Sequence, residues 1–107
     1  MASPKTEEFT KKENEIAVLA KAISHPARVE ILKELAKRNS CVCGEIVDVL
    51  PLAQSTVSQH LKELQKAGLI SGTVEGARSC YCINQKKVEQ FRDMLNSFLS
   101  KIDSNCC

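Results

Sequence analysis

Apolar residues recur with helical spacing along the first half of the chain. From Glu7 onward, Phe9, Ile16, Leu19, Ala20 and Ile23 fall near one face, with Lys and Glu between them. Ser24-His25-Pro26 interrupts this run. The residue before proline is pushed out of helical geometry, while proline itself suits the first turn of a new helix. That helix is predicted over residues 26–37, with Val29, Leu32, Leu35 and Ala36 as its stripe, and Arg38-Asn39-Ser40 ends it. Cys41-Val42-Cys43 leans towards extended structure and allows one brief strand. Residues 44–50 form a two-turn helix with Ile46, Val47 and Leu50 inward, and Pro51-Leu52-Ala53 forms a tight turn. Residues 54–67 form a strong helix on Val57, Leu61 and Leu64, closed by Gly68 as a left-handed cap.

The period then changes from 3.6 to 2. Residues 69–74 are predicted as a strand, 75–78 as a glycine-containing turn and 79–84 as the return strand. A last amphipathic helix runs from Gln85 to about Ile102 with Val88, Phe91, Leu95, Phe98, Leu99 and Ile102 on its stripe. A short helix, a tight turn and a longer helix make a helix-turn-helix, and the hairpin directly after it makes a winged one. The expected fold is therefore mainly α with a β-hairpin wing. It fills one domain, residues 1–107, with frayed tails at about 1–6 and 103–107.

The inward positions of the strong helix decide which residues point out. With Val57, Leu61 and Leu64 buried, Gln54, Ser55, Ser58, Gln59 and Lys62 face solvent near its N-terminal half, the half that enters a major groove. Glutamine can bond adenine bidentately, and serine can reach bases or phosphates. Ser55 and Thr56 sit where backbone N–H groups and the helix dipole favour phosphate. No carboxylate occurs between Pro51 and Lys62. Lys62 and Lys66 continue the exposed face, and Arg78 lies at the hairpin tip, where a wing meets the DNA backbone or minor groove. His60 is expected to cap, to pack or to touch a phosphate. The partner implied is double-stranded DNA.

Composition narrows the classes. Net charge is only +2, yet residues 54–92 hold six Lys and Arg against three Glu, so the positive charge is local. Such a modest excess means weak binding by one domain and stronger binding by two. Aromatic residues make up 4% of the chain, with no Trp, which argues against a stacking platform for single-stranded RNA. Residues 1–15 contain no apolar segment that could serve as a signal peptide, and no stretch is long enough for a membrane span, so a cytoplasmic protein is expected. An enzyme is not expected. His25 and His60 are isolated in sequence, there is no glycine-rich phosphate loop, and Glu30 and Glu34 lie among Lys33 and Lys37 as a solvated face.

The six cysteines form three close pairs: Cys41 with Cys43, Cys80 with Cys82, and Cys106 with Cys107. In a reducing compartment such pairs bind metal or do redox chemistry more often than they build disulfide frameworks. Residues i and i+2 of a strand share a face. Tyr81 and Ile83 are expected to face the core, which turns Cys80 and Cys82 the other way. The brief strand is expected to pair with the return strand of the wing. If Val42 faces inward, Cys41, Cys43, Cys80 and Cys82 converge on one face. If Cys41 and Cys43 face inward, only one pair remains. Cys106 and Cys107 on the tail could add a third or fourth ligand.

Several runs together resemble the ArsR/SmtB family of metal-sensing repressors. They are His25-Pro26-Ala27-Arg28-Val29-Glu30-Ile31-Leu32, Gly44-Glu45-Ile46-Val47, the stretch from Leu52 to Leu64, Ala67-Gly68-Leu69-Ile70, and Gly76 to Asn84. The resemblance covers nearly the whole chain. It implies a homodimer through the first and last helices that binds an inverted repeat in a promoter and leaves when a thiophilic ion binds. Six thiols and no spare histidine point to arsenite or antimonite, with cadmium, lead or zinc as further candidates. Two departures stand out. Ala53 replaces the serine that usually caps the recognition helix, a loss of about 1 kcal/mol. Cys41-Val42-Cys43 lies one residue earlier than the Cys-x-Cys pair of many arsenite-responsive relatives. Two other readings fit the same residues: a repressor switched by disulfide formation, and a winged-helix interaction module stapled by structural zinc.

Overall fold

The computed structural model describes residues 8–38, 41–43, 50–75 and 78–103, the side chains of residues 42, 43, 73–75, 78 and 79 excepted. Four helices and three strands are described: α1 (Lys11–Ala22), α2 (Pro26–Arg38), β1 (Val42–Cys43), α3 (Gln54–Lys66), β2 (Ile70–Glu75), β3 (Arg78–Ile83) and α4 (Gln85–Ile102). The predicted helix over residues 44–50 lies outside them apart from Leu50, as do the hairpin turn at 76 and 77 and the tail cysteines Cys106 and Cys107.

Local chemistry sets the helix ends. Thr10 caps α1 in a full capping box: its hydroxyl accepts from the Glu13 N–H, and the Glu13 carboxylate accepts from the Thr10 N–H, each at 3.1 Å. Gly68, at φ +88°, ends α3. There the Gly68 N–H donates to the Gln65 carbonyl and the Leu69 N–H to the Leu64 carbonyl, a Schellman closure that favours glycine. Asn84 caps α4 through the Lys87 N–H. It also donates its side-chain N–H to the Gly68 carbonyl at 3.0 Å, which ties the end of α3 to the start of α4.

The sheet is antiparallel with order β1-β3-β2, so the return strand of the hairpin is central. Val42 pairs with Tyr81 and Cys43 with Cys80 on one side of β3. On the other, the hairpin runs from Ile70 opposite Ile83 to Glu75 opposite Arg78. The core joins Leu19 and Ala22 of α1, Ile31 and Leu35 of α2, Val57, Leu61 and Leu64 of α3, Leu69, Ile70, and Phe91 of α4.

Three sequence expectations need correction. On α2 the buried residues are Ile31 and Leu35, while Val29 and Ala36 are exposed, so the stripe is rotated from the expected one. Phe9 precedes α1 and is 58% exposed, outside the core. Cys80 is 1% exposed and Cys82 half-buried, so the expected outward turn fails at Cys80, while Tyr81 and Ile83 pack against the core as expected. Strict alternation presumes one solvated face, but β3 lies between β1 and β2 with α2 packed against it, so burial does not alternate along it.

Candidate nucleic-acid interface

Helix α3 carries the candidate surface. Val57, Leu61 and Leu64 are buried at 0%, 3% and 0% exposure and fix its roll. Gln54, Ser55, Thr56, Ser58, Gln59 and Lys62 are then all exposed, as is Lys66 one turn on. The first turn contains no acidic residue, and Ala53 at the N-cap makes no side-chain bond to it. Uncapped N–H groups, amides, hydroxyls and ammonium groups thus share one open face. Glu63 is half-buried and pairs with Lys66 at 3.8 Å, which leaves Lys62 as the cation nearest the N-terminal half. Arg78 opens β3 opposite Glu75, so its backbone stands at the far end of the hairpin.

His60 does not belong to this face. It is only 8% exposed and lies on the inner side of α3 beside Leu61. Its Nδ1 accepts from Arg28 Nε at 3.1 Å, and its ring sits 4.5 Å from that of His25 at 45°. Burial, then the neighbouring His25 and Arg28, hold its pKa below the usual histidine range. Of the outcomes open to it from sequence, packing is the one realised. The spacing contained the signal, because position 60 falls three residues after Val57 and four before Leu64.

The thiol positions meet at the seam between β1 and β3. Cys41 and Cys82 are joined by a disulfide, with Cα atoms 4.3 Å apart and a sequence separation of 41. Cys80, opposite Cys43 in the register, is also disulfide-bonded. The sequence therefore placed these strands side by side correctly, but it turned Cys80 outward and the structure buries it. Among the described residues, no three His, Cys, Asp or Glu side chains form a group able to hold a metal ion. The Cys41 and Cys82 sulfurs are bonded to each other, so they could offer thiolates to a soft ion only after reduction.

A second surface lies on the outer helices. α4 spans 18 residues and buries only Phe91, while Phe98, Leu99 and Ile102 are 45%, 46% and 60% exposed. Val18 on α1, which packs against α4, is 55% exposed. Among the described residues no helix is long and apolar enough to cross a membrane.

Comparison with known proteins agrees with this architecture. Residues 25–71 match the model of the bacterial regulatory protein, arsR family. The transcriptional repressor PagR of Bacillus anthracis is 38% identical over 80 residues, covering 75% of this chain and 80% of that protein. The arsenical resistance operon repressor of Bacillus subtilis is 33% identical over 90 residues, covering 81% and 85%. An ArsR-like transcriptional regulator from Rhodococcus superposes with a TM-score of 0.74 at 23% identity over 88% of each chain, which shows the fold.

Proposed function

Since the chain belongs to the arsR family of bacterial regulatory proteins, whose members are DNA-binding regulators and not enzymes, we propose how this one binds and lets go. It acts as a single DNA-binding domain, residues 1–107, that represses by holding double-stranded operator DNA. The observation that carries this reading is the exposed row Gln54, Ser55, Thr56, Ser58, Gln59 and Lys62 on a helix whose opposite side is locked into the core. Gln54, Ser58 and Gln59 read base edges. Ser55, Thr56, Lys62 and Arg78 hold phosphates. The exposed apolar positions of α1 and α4 pack against a second copy, so that two recognition helices meet an inverted repeat.

Release is governed by the thiol seam. The ring closed between Cys41 and Cys82 contains all of α3 and β2, so a change at the seam alters how the recognition helix is aimed. An effector shifts such an equilibrium only by its differential affinity for the two states, commonly about 1–3 kcal/mol. The first effector class is a thiophilic ion, arsenite or antimonite before cadmium, lead or zinc. It would be held by the reduced sulfurs of Cys41, Cys43, Cys80 and Cys82, with Cys106 and Cys107 as tail candidates. The name of the Bacillus subtilis relative supports this class. The Cys41–Cys82 bond favours a second reading, oxidative release. There, two thiols lose two protons and two electrons to form the disulfide, while one peroxide is reduced to two waters. The zinc-stapled module without regulated DNA gives way to the family assignment.

The test follows the anisotropy of a labelled duplex, selected from a random pool by the reduced protein, during titration with arsenite or peroxide. Wild type should release on arsenite, and Cys82→Ser should stay bound. Release by peroxide and not by arsenite selects the oxidative reading. Release of Cys82→Ser at the wild-type arsenite concentration rules out the seam.

A further inference from the structure

The apolar packing of Val57, Leu61 and Leu64 that sets the roll of α3 is joined by a polar contact of defined direction. A directional contact to α3 from another helix comes through His60. Arg28 stands 32 residues earlier, on α2, and donates its Nε–H to His60 Nδ1. The same guanidinium reaches the Lys21 and Ala22 carbonyls at the end of α1 through Nη1, each at 3.4 Å. His25 accepts the Ala27 N–H at Nδ1, 3.0 Å away, and lays its ring against that of His60. The Arg28 guanidinium therefore links the end of α1, the start of α2 and the imidazole in the middle of α3. Ser58 and Gln59 immediately precede it on the exposed side of the same helix.

We propose that Arg28 and His25 are positioning residues for the DNA-reading face of α3, acting through the neutral imidazole of His60, so that DNA affinity falls on acidification. The proposal rests on the reading of α3 as the recognition helix. An imidazole that accepts at Nδ1 carries its proton on Nε2; a second proton would remove the acceptor and turn the Arg28 contact into repulsion. The surroundings favour the neutral form. His25, just before α2, and Arg28 on α2 face it, and the adjoining groove is lined by Lys21 of α1 with Glu63 and Lys66 of α3, so one carboxylate stands against an excess of cations. Burial and the two nearest of these groups push the imidazole's pKa down, so it is neutral at pH 7 and becomes protonated as pH falls below the usual histidine range. Added positive charge by itself would tighten binding to DNA, so the expected sign is opposite to that of a simple charge effect.

The experiment measures affinity for the selected duplex at neutral pH and near pH 5.5, with thermal melts on the same samples. Wild type should weaken by about tenfold on acidification, the scale of one lost hydrogen bond to a charged group. His60→Asn keeps an acceptor that does not titrate, so it should hold near-wild-type affinity at both pH values. Arg28→Ala should bind about tenfold more weakly at neutral pH, and Arg28→Lys should recover part of that loss. If Arg28→Ala fails to fold, the wild-type and His60→Asn pH profiles decide alone. A purely stabilising role would lower the melting temperature of Arg28→Ala and leave its affinity well below that temperature unchanged, which overturns the proposal. Wild-type affinity that rises on acidification overturns it as well. Gln54→Ala/Ser58→Ala separates the two levels. If this variant binds like wild type, the reading of α3 fails; if it loses binding while Arg28→Ala keeps wild-type affinity and His60→Asn weakens on acidification as much as wild type does, only the positioning role fails.

Discussion

Substituting Ala53 by serine should stabilise the protein. Ala53 holds the N-cap of α3 with φ −65° and ψ 148° and bonds nothing through its side chain. Thr10 holds the N-cap of α1 with φ −69° and ψ 160°, and there the hydroxyl accepts the third N–H of the helix at 3.1 Å. The two backbones nearly coincide, so a hydroxyl at position 53 reaches the Thr56 N–H without strain. Two features reduce the gain. The Thr56 N–H already donates to the Ala53 carbonyl at 3.0 Å, so the new bond shares its donor. Thr56 also stands where Glu13 completes the box at α1, so the return bond is missing. The expected gain is about 0.5–1 kcal/mol, the lower half of the range for N-cap hydroxyls. For a domain of this size that raises the melting temperature by about 2–8 °C. Far-ultraviolet circular dichroism during heating of the reduced protein checks it. An unchanged or lowered midpoint would show that the N-terminus of α3 is satisfied in some other way.

Other substitutions probe the remaining layers. Leu64→Ala empties a position with no exposure and should cost about 2–5 kcal/mol, seen as a lower urea midpoint at unchanged slope. Phe98→Asp places charge on the exposed stripe of α4 and should convert a dimer to monomer in sedimentation, with DNA binding lost alongside; a dimer that persists refutes the proposed interface. Arg78→Ala should weaken binding to all duplexes and reduce the salt slope by about one, whereas a change confined to one sequence would assign it to base reading.

The elements near the hairpin were legible because their punctuation is local. Helix α3 begins at Gln54 as expected, Gly68 closes it, the hairpin strands lie within one residue of the predicted ones, and α4 covers Gln85–Ile102. Helix α1 begins at Lys11, later than Glu7, because Thr10 and Glu13 form a capping box whose spacing was present in the sequence. The partner of His60 was not legible: nothing local links it to Arg28, and only packing α2 against α3 brings them together. Pairing of the cysteine strands could be anticipated from topology. The burial of Cys80 could not, because it depends on what covers each side of a central strand.

The central claim is that the outer face of α3 reads DNA. Its most direct test measures reduced wild type and Gln54→Ala/Ser58→Ala against the selected duplex and an unrelated one, at matched salt. Base contacts of this kind contribute about 1–3 kcal/mol each. The account predicts that wild type prefers the selected duplex, and that the double variant keeps its fold and its weak binding to the unrelated duplex while losing that preference. A double variant that still prefers the selected duplex as strongly as wild type would contradict it.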